Sequence, residues 1–134
     1  MAVLFDSNVW IGLIDEDDAL HAKAEHVAAG ITGKIIVPYS VALEVANLLT
    51  LRLSKTAANN FLFEIVNNRD IEVVGPDFAK EVVFFASFDQ RMAFTDYALI
   101  ALARDKGYRL ITFDKKMQSF LDDPKNDGQV VFVN

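Results

Sequence analysis

Cysteine is absent from the 134-residue chain, which removes both a disulfide framework and any thiolate metal site. Nor does any apolar run reach the ~18 residues that a membrane span needs, and the first residues lack the basic stretch and cleavage pattern of a secretory leader. A soluble, cytoplasmic protein with no membrane partner is therefore expected. Positive charge is scarce as well: 13 Lys and Arg stand against 19 Asp and Glu, for a net charge of −6. Such a chain cannot hold a polyanion by bulk attraction, so a nucleic-acid substrate would require positive charge supplied locally by metal ions. Histidine is limited to His21 and His26, five residues apart and hence on different helix faces, which reads as surface or packing use.

What the chain does have is apolar mass. Hydrophobic residues make up 52% and phenylalanine occurs 11 times, enough for one compact domain with a substantial core. No internal repeat, low-complexity segment or linker interrupts it. Strand-like and helical patterns alternate. Residues 3–5 form an apolar run with the look of a strand buried on both faces. Ser7 or Asn8 can cap a short helix through Ile14. The acidic run Asp15, Glu16, Asp17, Asp18 then reads as a solvated loop or a cap for the next helix, over 21–31, which Gly30 or Gly33 closes. A second strand spans 34–37 and stops at Pro38. Ser40 caps a helix reaching about Leu53, and a further helix covers 56–68. A third strand spans 71–74, and Gly75-Pro76 opens a helix over 77–88 that turns Phe78, Val82, Phe85 and Ala86 inward. Phe84 and Phe88 add aromatic area, for core packing or for an interface. Thr95 caps a helix that is apolar almost all round and ends at Gly107. A strand over 109–112, a short helix over 115–121, a turn over 124–128 and a last strand over 130–133 complete the chain.

This β-α-α-β-α-α-β-α-α-β-α-β order implies an α/β sandwich, a parallel sheet with helices on both faces. Asp6 follows the first strand directly, and Asp114 follows the fourth in the same way. Counting by three and four from Glu44 reaches Val41, Leu48 and Leu51, so it lies within the apolar stripe of its own helix. There it is either a carboxylate at the rim of the core, neutralised by an Arg or hydrogen-bonded at a helix end, or one held inward to meet a cation. Asp96 sits in the first turn of its helix, where a plain aspartate is common because the dipole favours an anion. Strand carboxyl ends and the starts of the following helices share one edge of such a sheet, so all four acids are expected to converge. Converging carboxylates repel unless a cation lies among them. An all-oxygen set without Cys or His suits a hard ion, Mg²⁺ or Mn²⁺, singly or as a pair able to promote attack on phosphorus.

Taken together, DSNVWI from Asp6, SVALEVANLL around Glu44, TDYALIALARDKGYRLIT leading from Asp96 and TFD ending at Asp114 resemble the PIN domain family. Within it the chain looks most like the VapC-type toxin ribonucleases. The resemblance spans nearly the whole sequence in order. It implies a three-layer fold with a five-stranded parallel sheet of order 3-2-1-4-5. It also implies that Asp6, Glu44, Asp96 and Asp114 hold Mg²⁺ or Mn²⁺ for endoribonuclease action, with Asn8 and Thr112 as polar supports. RNA substrate, a small antitoxin and a homodimer are the implied partners, the Phe-rich helix near Phe84 and Phe88 offering apolar surface for the dimer. Met117 replaces an aromatic found in many relatives, a change expected to affect packing. Asp89 is read as loop, and Arg91, Lys115 and Lys116 as solvated cations or as grips for substrate. A PIN-type nuclease of RNA processing remains an alternative, as does a non-enzymatic receiver-like module. The receiver reading is weakened because Asp6 has no adjacent acid and the third strand ends at Val74-Gly75. A haloacid-dehalogenase reading would want an aspartate where Asn8 stands.

Overall fold

The computed structural model describes residues 2–123, residue 126 and the backbone of 132–133. The turn expected over 124–128 and the first half of the last expected strand fall almost wholly outside the described residues. Twelve elements are seen: β1 (Val3–Phe5), α1 (Ser7–Ile14), α2 (His21–Ala29), β2 (Ile35–Pro38), α3 (Tyr39–Arg52), α4 (Lys55–Asn67), β3 (Ile71–Val74), α5 (Phe78–Ala86), α6 (Phe94–Lys106), β4 (Arg109–Ile111), α7 (Lys115–Asp122) and β5 (Phe132–Val133). All strand pairs are parallel. β1 pairs with β2 and β4, β2 with β3, and the two residues of β5 with Leu110 and Ile111 of β4. The body of the sheet is thus β3-β2-β1-β4, with the short β5 at the far edge.

From β1 the chain steps outward one way to β2 and β3, then returns past β1 to β4. Right-handed crossovers in opposite directions put the two sets of helices on opposite faces. The contacts agree: α1 packs on α2 and α3, α3 on α4, and separately α5 on α6. β1 lies where the order reverses, and Val3, Leu4 and Phe5 are buried on both faces. One face carries Trp10, edge-on to Phe5 at 5.3 Å and to Phe61 at 5.4 Å. The other is built around Tyr97, whose ring meets Phe85, Phe88 and Phe120 at 5.3–5.9 Å. α1 and α2 approach closely at Gly12, where an added Cβ would stand 3.1 Å from that of Ala24. Gly107 ends α6 with φ of 68°, a left-handed backbone that glycine adopts without strain.

Three helix starts differ from the sequence reading. Asp6, not Ser7 or Asn8, caps α1, because the extended backbone leaving β1 aims its carboxylate at the Ser7 N–H. Pro38 rather than Ser40 precedes α3, and Ala93 rather than Thr95 precedes α6, neither with a side-chain cap. The inward face of α5 is also rotated from expectation. Glu81 and Phe84, with Phe88 just past the helix end, turn toward the protein, while Phe78 is 68% exposed, Val82 and Val83 are exposed too, and Phe85, though exposed, still lays its ring against Tyr97. Nearly every side of this helix is apolar, so its periodicity does not single out the buried one. Phe84 and Phe88 therefore serve the core, and the apolar surface that α5 offers is formed by other residues.

Candidate active site

Strand register brings the first two acids together. Phe5 of β1 is level with Ile111 of β4, and the Asp6 N–H donates to the Ile111 carbonyl at 2.9 Å. One step further on, the Thr112 hydroxyl, fully buried, donates to Asp6 Oδ2 at 2.7 Å. The other carboxylate oxygen, Oδ1, accepts the Ser7 N–H at 2.7 Å. Asp6 is only 6% exposed, yet its carboxylate meets two donors and no cationic side chain among the described residues.

Two residues past Thr112, Asp114 caps α7, its Oδ1 accepting the N–H groups of Lys116 and Met117. Its own N–H donates to the Thr112 hydroxyl oxygen at 3.0 Å. Thr112 thus binds both aspartates, donating to one and accepting from the other's backbone. Asn8 lies in the first turn of α1 and accepts the Phe113 N–H on its side-chain oxygen at 3.3 Å. It steadies the link between β4 and α7 without touching a carboxylate.

Asp96 is in the first turn of α6. Glu44 is half-buried on α3, at the edge of a buried stripe formed by Val41, Ala42, Val45 and Leu49. It is less central than the sequence suggests, because Leu51, one of the residues that define the expected stripe, is 83% exposed. No Arg or Lys lies within salt-bridge distance of Glu44 among the described residues, which removes the Arg-neutralised alternative there.

Electrostatics joins all four acids. The Asp6 carboxyl is raised above its ordinary value, first by burial and then by the charges of Glu44 and Asp114, against the opposing hydrogen bonds from Thr112 and Ser7. Asp96 is pushed up to about 7, first by burial and then by Asp6, Asp114 and Glu44, with Lys116 acting in the opposite direction. The acids share one neighbourhood without closing into a cage. Among the described residues no three His, Asp or Glu side chains are grouped ready to hold an ion. Like charges stand apart when no cation lies between them, and Asp6 and Asp114 spend oxygens on helix caps.

An open cleft of about 690 Å³ lies over this neighbourhood, lined by Arg91, Met92, Ala93, Asp96, Asp114 and Lys116. Two of the three candidate cations are therefore at its wall; Lys115 is exposed and is not. Asp89 is exposed loop, and Met117 is fully buried in packing. The sequence reading missed Gln118, a buried amide that donates to the Thr112 carbonyl at 2.9 Å. Its signal is its position four residues after Asp114, one helical turn below it on the same side. A second, more enclosed cavity of about 290 Å³ lies between the β3–α5 link and α6 and contains none of the four acids.

A family model of the PIN domain matches residues 3–120. In structure the chain is similar to VapC20 of Mycobacterium tuberculosis, described as a sarcin-ricin loop cleaving toxin. That likeness has a TM-score of 0.78 and 21% identity, over 87% of this chain and 93% of that one. It is similar also to a toxin–antitoxin complex from Klebsiella pneumoniae (0.67, 15% identity, 96% and 95% covered). A third likeness is to VapBC2 of Rickettsia felis bound to a promoter DNA fragment (0.65, 14% identity, 100% and 98% covered). At these identities the likeness is one of fold. No curated protein matches the chain by sequence.

Proposed function

The chain belongs to the PIN domain family, and from that premise we propose that it is a divalent-metal-dependent endoribonuclease, the toxin of a VapBC-type toxin–antitoxin pair. The observation that carries this reading is the concentration of uncompensated negative charge at the end of β1 and β4. There Asp6 is buried with no cationic partner among the described residues, and Asp96 is pushed up to about 7 in part by three other carboxylates. That donor set is all oxygen and fits a hard cation.

On this reading Asp6, Asp96 and Asp114 hold Mg²⁺ or Mn²⁺, one ion or two, and Glu44 completes the site or positions the attacking water. A bound ion of this kind supplies Lewis acidity toward a phosphodiester and cancels the charge that would repel RNA. The chain's own residues do the rest. Ser7 and Thr112 orient the Asp6 carboxylate, and the N-terminal N–H groups of α7 orient that of Asp114. Asp96, pushed up to about 7 by burial and its neighbours, would hold such an ion in its ionised form. Arg91 and Lys116, at the cleft wall, meet flanking phosphates as the substrate lies in place for in-line hydrolysis.

The fold neighbours from Klebsiella and Rickettsia are toxin–antitoxin assemblies, which supports a small antitoxin as partner. The exposed apolar side chains of α5, Phe78, Val82 and Val83, support a homodimer. No helix among the described residues is long and apolar enough to cross a membrane, in keeping with a cytoplasmic site of action. The test is incubation of the purified chain with total RNA in Mn²⁺ and in chelator. Cleavage that requires Mn²⁺ is expected; undiminished cleavage in chelator, or none in any divalent ion, contradicts the reading.

A further inference from the structure

The buried face of α7 is Met117, Phe120 and Leu121, with one amide among them, Gln118, 8% exposed. An amide in such a place is held for what it donates or accepts. Gln118 Nε2 donates to the Thr112 carbonyl at 2.9 Å. That carbonyl lies one residue beyond the end of β4, whose last pairing with β5 among the described residues is at Ile111. The same residue's hydroxyl donates to Asp6 Oδ2 at 2.7 Å and accepts the Asp114 N–H at 3.0 Å. Gln118 therefore grips one side of Thr112 while two of the four acids depend on the other.

We propose that Gln118 is a positioning residue for the acid site, acting through Thr112 to fix the Asp6 carboxylate and the backbone of Asp114 in the orientation that receives a divalent cation. The proposal rests on the metal-site reading given above. Without the amide, the 112–114 link keeps only its hold through Asn8 and the cap of α7, and the Thr112 hydroxyl is fixed less firmly in the direction from which it aligns Asp6. Polar groups that orient metal ligands in this way typically account for about 10–100-fold in metal affinity. A Gln118 that merely satisfied a buried carbonyl would influence folding stability and leave metal affinity alone.

The test is Mn²⁺ titration of the full chain, with free Mn²⁺ read by electron paramagnetic resonance, on wild type, Gln118→Met, Thr112→Val, the double variant and Asp6→Asn. Gln118→Met keeps length and volume and removes the donor. It is expected to weaken Mn²⁺ binding roughly tenfold. Combined with Thr112→Val it should weaken binding no more than Thr112→Val alone, because both changes cut one linkage. As a second measurement needing no variant, the Gln118 side-chain amide resonance of ¹⁵N-labelled wild type should shift as Mg²⁺ saturates. Mn²⁺ affinity within about twofold of wild type in a folded Gln118→Met, losses that simply add in the double variant, or an amide resonance that stays fixed on Mg²⁺ saturation would overturn the proposal. If wild type binds no Mn²⁺, or Asp6→Asn binds it as tightly, the metal-site reading itself fails and the proposal with it.

Discussion

Asp15, Glu16, Asp17 and Asp18 stand side by side in the chain, whereas Asp6, Glu44, Asp96 and Asp114 are scattered over most of it. By sequence the first group is the denser patch of negative charge. In the folded molecule it lies on the loop between α1 and α2, and its carboxylates work locally. Asp15 accepts the Asp17 N–H, Asp18 accepts the Leu20 N–H, and Asp18 pairs with Arg52 at 3.4 Å. Exposure at Glu16 and Asp17, backbone donors and Arg52 disperse that charge. The scattered group reaches the carboxyl ends of β1 and β4 and the helices beside them, where burial withholds water and each charge raises its neighbours. Chain proximity of acids is thus no measure of their coupling; what decides is whether the fold takes them out of solvent together.

The strongest way to break this contrast is to remove one charge from each group. Asp96→Asn is expected to lower Mn²⁺-dependent RNA cleavage by roughly a hundredfold to a thousandfold, since a metal site contributes several kcal/mol to the barrier. Asp17→Asn should leave the rate unchanged. Initial rates on a fluorescent RNA distinguish the two, and equal losses would erase the distinction. Thr112→Val is expected to act less severely, reducing kcat about tenfold with Mn²⁺ at wild-type saturation and shifting the Mn²⁺ concentration for half-activity upward. A metal-activation curve identical to wild type would show that the hydroxyl does not orient Asp6.

Stability should change in the opposite sense to activity. In the metal-free protein Asp96 ionises near 7, against 3.8 as its ordinary value. Between those values the folded state keeps a proton that the unfolded chain has lost, so its contribution to stability falls as pH rises from about 4 to about 7 and is level above. Asp96→Asn should therefore raise the metal-free Tm at pH 8, by roughly 3–6 °C if about 1 kcal/mol is recovered, and flatten that slope; calorimetry at several pH values reads both. In the solvated group, Arg52→Ala breaks the surface pair with Asp18 and should cost under about 1 kcal/mol, a Tm change of a few degrees at most by the same calorimetry.

Much of this was legible beforehand. The apolar run at Val3 to Phe5 and the alternation of elements pointed to a parallel α/β fold that brings the four acids into one neighbourhood, because strand burial and chain order leave few ways to arrange such a sheet. Local chemistry was harder to read. Which residue caps a helix depends on the backbone angle at which the chain arrives, so Asp6 took the place assigned to Ser7 or Asn8. Which side of α5 is buried was not encoded by a helix apolar nearly all round, and packing against Tyr97 and Phe120 selected Phe84 and Phe88. Gln118 gave no apolar signal, because its burial follows from a carbonyl that only the folded strand end exposes.

The central claim is that the scattered acids, and not the contiguous ones, form a place for a divalent ion. A crystal of the protein soaked in Mn²⁺ and measured at the manganese absorption edge tests it directly. The account predicts an anomalous peak bounded by Asp6, Asp96 and Asp114, with Glu44 turned toward it. Density at Asp15 to Asp18 with none beside Asp6 would contradict it.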